Sequence, residues 1–466
     1  MASASMETAS DETIRPKSDA SPEAGGAGIW AYAAPVMGSY FFYIPMWSIL
    51  PGIYATYFGL TLTSVAGVLL SIRLFDGVSD LTVGYLSDRH RAAGGSRKPW
   101  VIVGGIGAIV ACYFLFTPPA PTTTTYYLIC SLAYFLAFAV SEIPHLTWGS
   151  ELTLNYQVRA RVYGARNVLS KVGISAFYAL PLLPIFSSAA YTPDVLRVAV
   201  LVGAVVTVPG LMWALFGAPA GVPIQAVRED SVRLLLQSIV HNKPLLLYFA
   251  AVSCGALCYG MWFGLVYIYL DSYLRMGEQV AIIFLLATVA SILTTPLWLK
   301  LIQRTSKATT WAVGVALFGC QLLGTLWIAP GDPWWMALLV VFLANLCFTA
   351  NDVAAVSSMG DIVDYGKLKF GVDRGATYFA ILNLLFKVSL GIGGGLALGI
   401  AGEFGFRTED AIHSASAIWG LQLGFIVLPA CCALVCLLLV LRTPIDRQRH
   451  RTIQRRLESR LLRSGA

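Results

Sequence analysis

The chain has 466 residues, of which 57% are apolar and only 12% are Asp, Glu, Lys or Arg, and its formal net charge is +7. Soluble domains carry about twice that share of charge, so this composition excludes a soluble enzyme, a disordered chain and a secreted disulfide scaffold. The useful unit of length is therefore the membrane span, about 20 apolar residues each.

Residues 1–28 are polar and contain no apolar h-region, so they read as a disordered cytoplasmic N-terminal tail rather than a signal peptide. Apolar runs follow near 29–57, 62–87, 99–117, 125–149, 164–187 and 195–217, giving an N-terminal six-helix half over 29–217. A polar central loop, 218–243, holds Arg228, Glu229, Asp230 and Arg233. Further runs near 244–270, 279–301, 309–329, 334–358, 375–402 and 412–441 make a C-terminal half over 244–441. Residues 442–466 form a basic tail with Arg442, Arg447, Arg449, Arg451, Arg455, Arg456, Arg460 and Arg463. The expectation is an all-α polytopic membrane protein of about 12 transmembrane helices in two halves. Open sheets leave backbone groups unsatisfied in lipid, and no barrel-like alternation occurs.

Charge sets the orientation. Arg89, Arg91, Arg97 and Lys98, then Arg159, Arg161 and Arg166, then Lys300, Arg304 and Lys307, then Lys367, Lys369 and Arg374 fall at one end of the helices, with the central loop and the tail. Loops at the other end, such as 58–64 and 118–125, are bare. The basic end is expected to be cytoplasmic, with both termini inside a cell membrane. The basic tail reads as a contact with anionic lipid, and without interleaved aromatics it does not suit nucleic acid. The nine cysteines all lie in apolar runs; Cys254 and Cys258, one turn apart, have no His or second pair to make a metal site.

A charged residue at mid-helix costs about 2.5–3.5 kcal/mol on insertion scales, so each one needs a reason. Asp76 and Asp80 stack on one face of the second helix, roughly 10–17 Å from its basic end. Two such carboxylates cannot both stay ionised and unpaired in low dielectric: one takes a proton, or they share a cation. That is cation-coupling chemistry; the alternative is a structural salt bridge with Arg73. Glu142 lies deep in the fourth helix just before Pro144, which is expected to break the helix there. Lys387, with Asn383 one turn before it, lies roughly 20 Å into the eleventh helix and needs an acidic partner from the opposite half. Asp352, beside Asn345 and Asn351, reads as a polar-network residue of the tenth helix. Arg166 and Lys171 open the fifth helix, where Arg166 either reaches the solute cavity or snorkels to the interface. His145 reads as a satisfied helix-end residue. Tyr32, Tyr40, Tyr43 and Trp47 share one helix, Tyr259, Trp262 and Tyr267 another, and Trp148 follows Glu142; aromatic faces with a few polar groups suit a sugar.

Several stretches, in order, resemble the glycoside–pentoside–hexuronide:cation symporters, melibiose-carrier type, of the major facilitator superfamily. They are Phe75-Asp76-Gly77-Val78-Ser79-Asp80 through Gly84-Tyr85-Leu86-Ser87-Asp88-Arg89 and Arg97-Lys98-Pro99-Trp100; Glu142-Ile143-Pro144 with Gly149-Ser150-Glu151-Leu152; and Asp361-Ile362-Val363-Asp364-Tyr365-Gly366-Lys367, followed by Tyr378-Phe379 and Lys387. The resemblance implies that Asp76 and Asp80 bind the coupling cation, and would be the ligands if it is Na⁺. It implies that Glu142 links the cation and solute sites, and that Lys387 and Arg166 serve them. The chain departs from that pattern with Tyr40 where those carriers have an acid, Ala139 where they have a Thr and Ser79 where they have an Asn. These departures favour H⁺, which needs no oxygen cage.

The expected function is cation-coupled symport, with H⁺ or Na⁺, of a sugar, glycoside or related organic solute by alternating access. The coupling set is Asp76, Asp80, Glu142 and Lys387; the solute set is Tyr40, Glu142, Trp148, Arg166, Trp262, Asn383 and Lys387. No other cofactor is expected, the partners are a small solute and membrane lipid, and the chain is expected to act as a monomer. Three alternatives remain: transport of an amphipathic, lysolipid-like solute; an intramembrane prenyltransferase-type enzyme, whose acid pairs lie near the membrane surface rather than deep; and a transporter-like sensor, which the basic tail permits but the set of embedded acids argues against.

Overall fold

The structure, a computed structural model, describes residues 26–153, 156–221, 237–371, 374–443, 449, 452–456 and 459. The expected N-terminal tail up to residue 25, most of the central loop including Arg228, Glu229, Asp230 and Arg233, and Arg447, Arg451, Arg460 and Arg463 of the basic tail lie outside the described residues.

Among the described residues every regular element is helical. The first half comprises α1 (Gly26–Ser48), α2 (Leu50–Phe58), α3 (Leu62–Ala92), α4 (Lys98–Phe116), α5 (Thr124–Glu151), α6 (Tyr156–Ala179) and α7 (Pro193–Gly217). The second comprises α8 (Lys243–Ile268), α9 (Gly277–Arg304), α10 (Lys307–Gly324), α11 (Trp334–Phe370), α12 (Gly375–Glu403), α13 (Ala415–Gln422) and α14 (Leu428–Leu441). Side chains of Thr61, Thr123, Thr192, Asn242, Ser306 and Ser414 accept from backbone N–H groups three residues on, which fixes where six of these helices start.

Each of the twelve expected segments holds a helix. Ten helical segments are long and apolar enough to cross a membrane, counting α13 and α14, joined through a π-helical turn at Leu423–Val427, as one; the pair α1–α2, bent by 57°, makes an eleventh candidate. Helix α6 is long enough, but Arg159, Arg161, Arg166 and Lys171, with its small and polar residues, leave it less apolar than these. The bend between α1 and α2 falls between Pro45 and Pro51, where missing backbone donors interrupt the ladder. Pro144, by contrast, does not break α5, which runs through to Glu151. Packing of neighbouring turns keeps the helix going despite the lost hydrogen bond, so the expected break is corrected.

The two halves meet along α3 and α12, which run antiparallel. Glycines on one face of α12 make this possible. A Cβ at Gly402 would stand 2.6 Å from Thr63 Oγ1, one at Gly395 2.5 Å from Leu70 Cγ, and one at Gly391 1.7 Å from Arg73 Cγ. A second face, at Gly393, leaves no room for a Cβ against the backbone of α8, 2.2 Å from the Leu257 carbonyl oxygen. Small residues let backbones approach where no hydrophobic force drives helices together.

Contacts between halves concentrate at the end opposite the basic loops. Tyr178 of α6 lies 5.2 Å from Phe284 of α9, Tyr191 lies 6.1 Å from Tyr267, and Glu278 accepts from Ser188 Oγ at 2.6 Å and from the Ala189 N–H at 2.8 Å. At the basic end the ion pairs knit each half to itself. Arg91 and Arg97 both bond Glu151, at 2.9 and 2.7 Å, and Arg97 reaches Asp88, while in the second half Lys307 bonds Asp361 at 2.6 Å. Asn383 and Asp352, farther from the end opposite the basic loops, are solvent-exposed.

Candidate transport site

Two charged clusters stand in the middle of the bundle. In the first, Arg73 and Asp76 of α3 pair at 3.0 Å, one turn from Asp80, whose carboxylate accepts from Lys387 of α12. Lys387 belongs to the opposite half, so this ion pair crosses the interface. Arg73 is 2% exposed, and its guanidinium carbon sits 3.3 Å from the ring centroid of Trp47 on α1. Such a cation–π contact replaces part of the lost hydration. Its Nε and Nη2 have no hydrogen-bond partner among the described residues.

In the second cluster, Arg166 of α6 bonds Glu142 of α5, and Tyr40 Oη donates to the same carboxylate oxygen at 3.4 Å. A second guanidinium nitrogen of Arg166 lies 2.5 Å from His145 Nδ1. Arginine only donates, so Nδ1 accepts. The other ring nitrogen then carries the proton and donates to the Tyr32 carbonyl at 2.8 Å, making His145 a neutral imidazole. Tyr32 Oη in turn donates to the His145 carbonyl at 2.9 Å. His145 is thus the side chain that orients Arg166, a role its position in the sequence did not disclose.

Aromatic rings on α1 join the clusters. Tyr43 stacks on Phe138 with centroids 4.4 Å apart, Tyr40 lies 5.7 Å from Tyr43, and Trp47 lies 4.6 Å from Phe135. One wall of the site is therefore aromatic and runs from Glu142 to Arg73. Across the two clusters, Arg73, Arg166 and Lys387 balance Asp76, Asp80 and Glu142. The two clusters together are neutral, and each of their three carboxylates has a cation of its own.

The structure brings together Asp76, Asp80, Glu142, Lys387, Tyr40 and Arg166. Asn383 lies one turn from Lys387, exposed and on the same side of α12. Two expected solute contacts stand elsewhere. Trp148 is 1% exposed and spends its indole N–H on the Pro219 carbonyl at 2.9 Å, in a packing cluster with Tyr32, Val162 and Leu211. Trp262 is 2% exposed and packs among Phe263, Phe348 and Phe425 inside the second half. Both correct the expectation in the same way: a tryptophan in an apolar helix is bulk for packing before it is a ligand. Among the described residues, no group of three or more His, Cys, Asp or Glu is arranged to hold a metal ion.

Comparison with known proteins agrees with this architecture. The family described as MFS/sugar transport protein matches residues 31–447. An uncharacterized symporter, YnaJ of Bacillus subtilis, is 20% identical over 87% of this chain and 89% of its own. A glucuronide carrier protein homolog of Escherichia coli is 21% identical over 85% and 90%. Among solved structures, a bacterial homolog of the lysosomal transporter Spinster, described as inward-facing and unoccupied, superposes with a TM-score of 0.63 at 12% identity, covering 92% of this chain and 97% of that one. The nucleoside transporter NupG gives 0.62 at 13% identity over 88% and 99%. These likenesses support the fold. The match across nearly the whole chain settles the rest: this is a multi-pass membrane transporter, not an enzyme, and it belongs to the MFS/sugar transport protein family.

Proposed function

We propose that this transporter is a proton-coupled symporter of a glycoside or related sugar-type solute. The observation that carries the reading is the ion pair between Asp80 and Lys387 across the two halves. A proton arriving at Asp80 removes the negative charge that holds Lys387. Lys387 is then free to donate to a solute hydroxyl or carboxylate, with Asn383 beside it and the aromatic wall opposite. Because Asp76, Asp80 and Glu142 are each answered by a protein cation, the two clusters offer Na⁺ no cage of free oxygens, whereas a proton needs only one. The neutral site gains one positive charge with the proton, so the membrane potential adds to the driving force. Binding linkage then requires the solute to tighten the proton as much as the proton tightens the solute. The symporter names of the relatives support coupling, and the glucuronide carrier homolog supports the solute class.

The test is uptake by proteoliposomes with H⁺ and Na⁺ gradients imposed separately, using nitrophenyl β-glucuronide and β-galactoside, and lysophosphatidylcholine as the amphipathic control. Accumulation of a glycoside under the H⁺ gradient alone is expected. Accumulation under Na⁺ alone, or of the lysolipid alone, overturns the reading.

A further inference from the structure

Two charges outside the clusters above have no role in that scheme. Lys171 lies in α6, one to two turns beyond Arg166, and Asp352 lies midway along the 37-residue α11. They belong to opposite halves. Neither makes an ion pair or hydrogen bond among the described residues.

Helical geometry shows where they face. Tyr178 follows Lys171 by seven residues, two turns, and therefore shares its side of α6. Tyr178 is the α6 residue that packs on Phe284 of the opposite half. Lys171 thus points toward the second half, about 10 Å nearer the basic end. On α11, Phe348 precedes Asp352 by one turn on the same side and packs on Tyr259 at 4.7 Å and on Phe263 at 5.0 Å, both in α8. Asp352 therefore faces the interior, and its exposure is exposure to the space between the halves. Lys171 is the cation whose charge acts on it across that space.

An unpaired carboxylate and an unpaired ammonium are tolerable in the membrane only while water reaches them. Closing the basic end removes that water and brings α11, which packs behind α9, toward α6. We propose that Lys171 and Asp352 form a charge latch between the halves, separated and hydrated while the basic end is open and paired when it closes. The latch is a property of the transporter without solute. It is distinct from the Asp80–Lys387 pair, which is already closed in this conformation.

The experiment measures the distance between nitroxide labels on p-acetylphenylalanine placed at Arg161 and Arg304, exposed positions at the basic ends of α6 and α9. The purified full-length protein is used without solute, in lipid nanodiscs. The unaltered protein is expected to show a long-distance and a short-distance population. Lys171→Gln and Asp352→Asn each reduce the short-distance population about fivefold, the lower end of typical coupling energies. The exchanged pair K171D/D352K restores it. Single variants that leave the distribution unchanged overturn the latch. So does an exchanged pair as open as the singles, and so does an unaltered protein with no short-distance population. Melting temperatures, with Lys171→Arg and Asp352→Glu as conservative controls, separate a loss of closure from a loss of folding.

Discussion

Asp80 and Lys387 illustrate how one contact carries both stability and coupling. Each needs the other in a low-dielectric site, and removing one leaves a charge uncompensated. Lys387→Gln is expected to lower gradient-driven glycoside accumulation on the order of tenfold, equivalent to about 1.4 kcal/mol. It is also expected to lower the melting temperature of the purified protein. Adding Asp80→Asn to Lys387→Gln removes the stranded carboxylate, so the melting temperature recovers while accumulation does not. Recovery of both would mean that the pair is structural only. At Glu142 the logic differs, because Arg166 is itself held by a neutral His145. The imidazole serves as an acceptor there, which a protonated ring cannot do. The pairing of Lys387 with an acid of the other half was legible from its depth in an apolar helix. The His145 acceptor was not, because it depends on α5 and α6 meeting at one height.

Helix α12 is built to be approached from two sides. Gly391 and Gly395 face α3, and Gly393 faces α8. Gly391 matters most, because Arg73 lies across it with its guanidinium on Trp47. Gly391→Ala places a Cβ where the Arg73 side chain runs. The expected cost is about 1–3 kcal/mol from overpacking, with the Trp47 stacking disturbed as well. A thermal melt in detergent checks this: Gly391→Ala should melt several degrees lower, while alanine at Gly360, which has open space around its Cα, should not. Equal melting of the two variants would mean that α3 and α12 have room to separate. The glycines are visible in the sequence as a run, but which neighbour each one admits is not, since the same run serves both α3 and α8.

For the whole molecule, the halves are joined at the end opposite the basic loops and part toward the basic end. Glu278 is one of the joints, accepting from Ser188 and Ala189 of the first half. Glu278→Ala is expected to loosen that end and shift the population toward conformations closed at the basic end. With labels at the ends of α6 and α9 opposite the basic loops, the mean distance should lengthen while the labels at Arg161 and Arg304 move closer. Lengthening at both ends would indicate separation of the halves rather than rocking. The expected twelve segments all hold helices because lipid leaves an apolar chain no other backbone arrangement, but α6 runs over Tyr156–Ala179 where the apolar run spans 164–187, and α11 continues to Phe370 where the run stops near 358. Segment α6 shows the limit of that rule. Its four charges lower its hydropathy, and partners on α5 and just beyond its end account for two of them: Arg166 bonds Glu142 and His145, and Arg159 donates to the Ser150 and Thr153 carbonyls.

By itself, the sequence determined that this chain is a helical membrane protein, which end of it carries the basic loops, and which few charges are deep enough to matter. Those conclusions follow from transfer energetics, which act residue by residue. Only the tertiary structure decided how the deep charges pair: Arg73 with Asp76, Lys387 with Asp80, and Arg166 with both Glu142 and His145. It also moved Trp148 and Trp262 from the solute wall into the packed core, and left Lys171 and Asp352 without an ion-pair partner among the described residues. Pairing is a matter of distance between helices, and no local property of a helix encodes which neighbour stands opposite it.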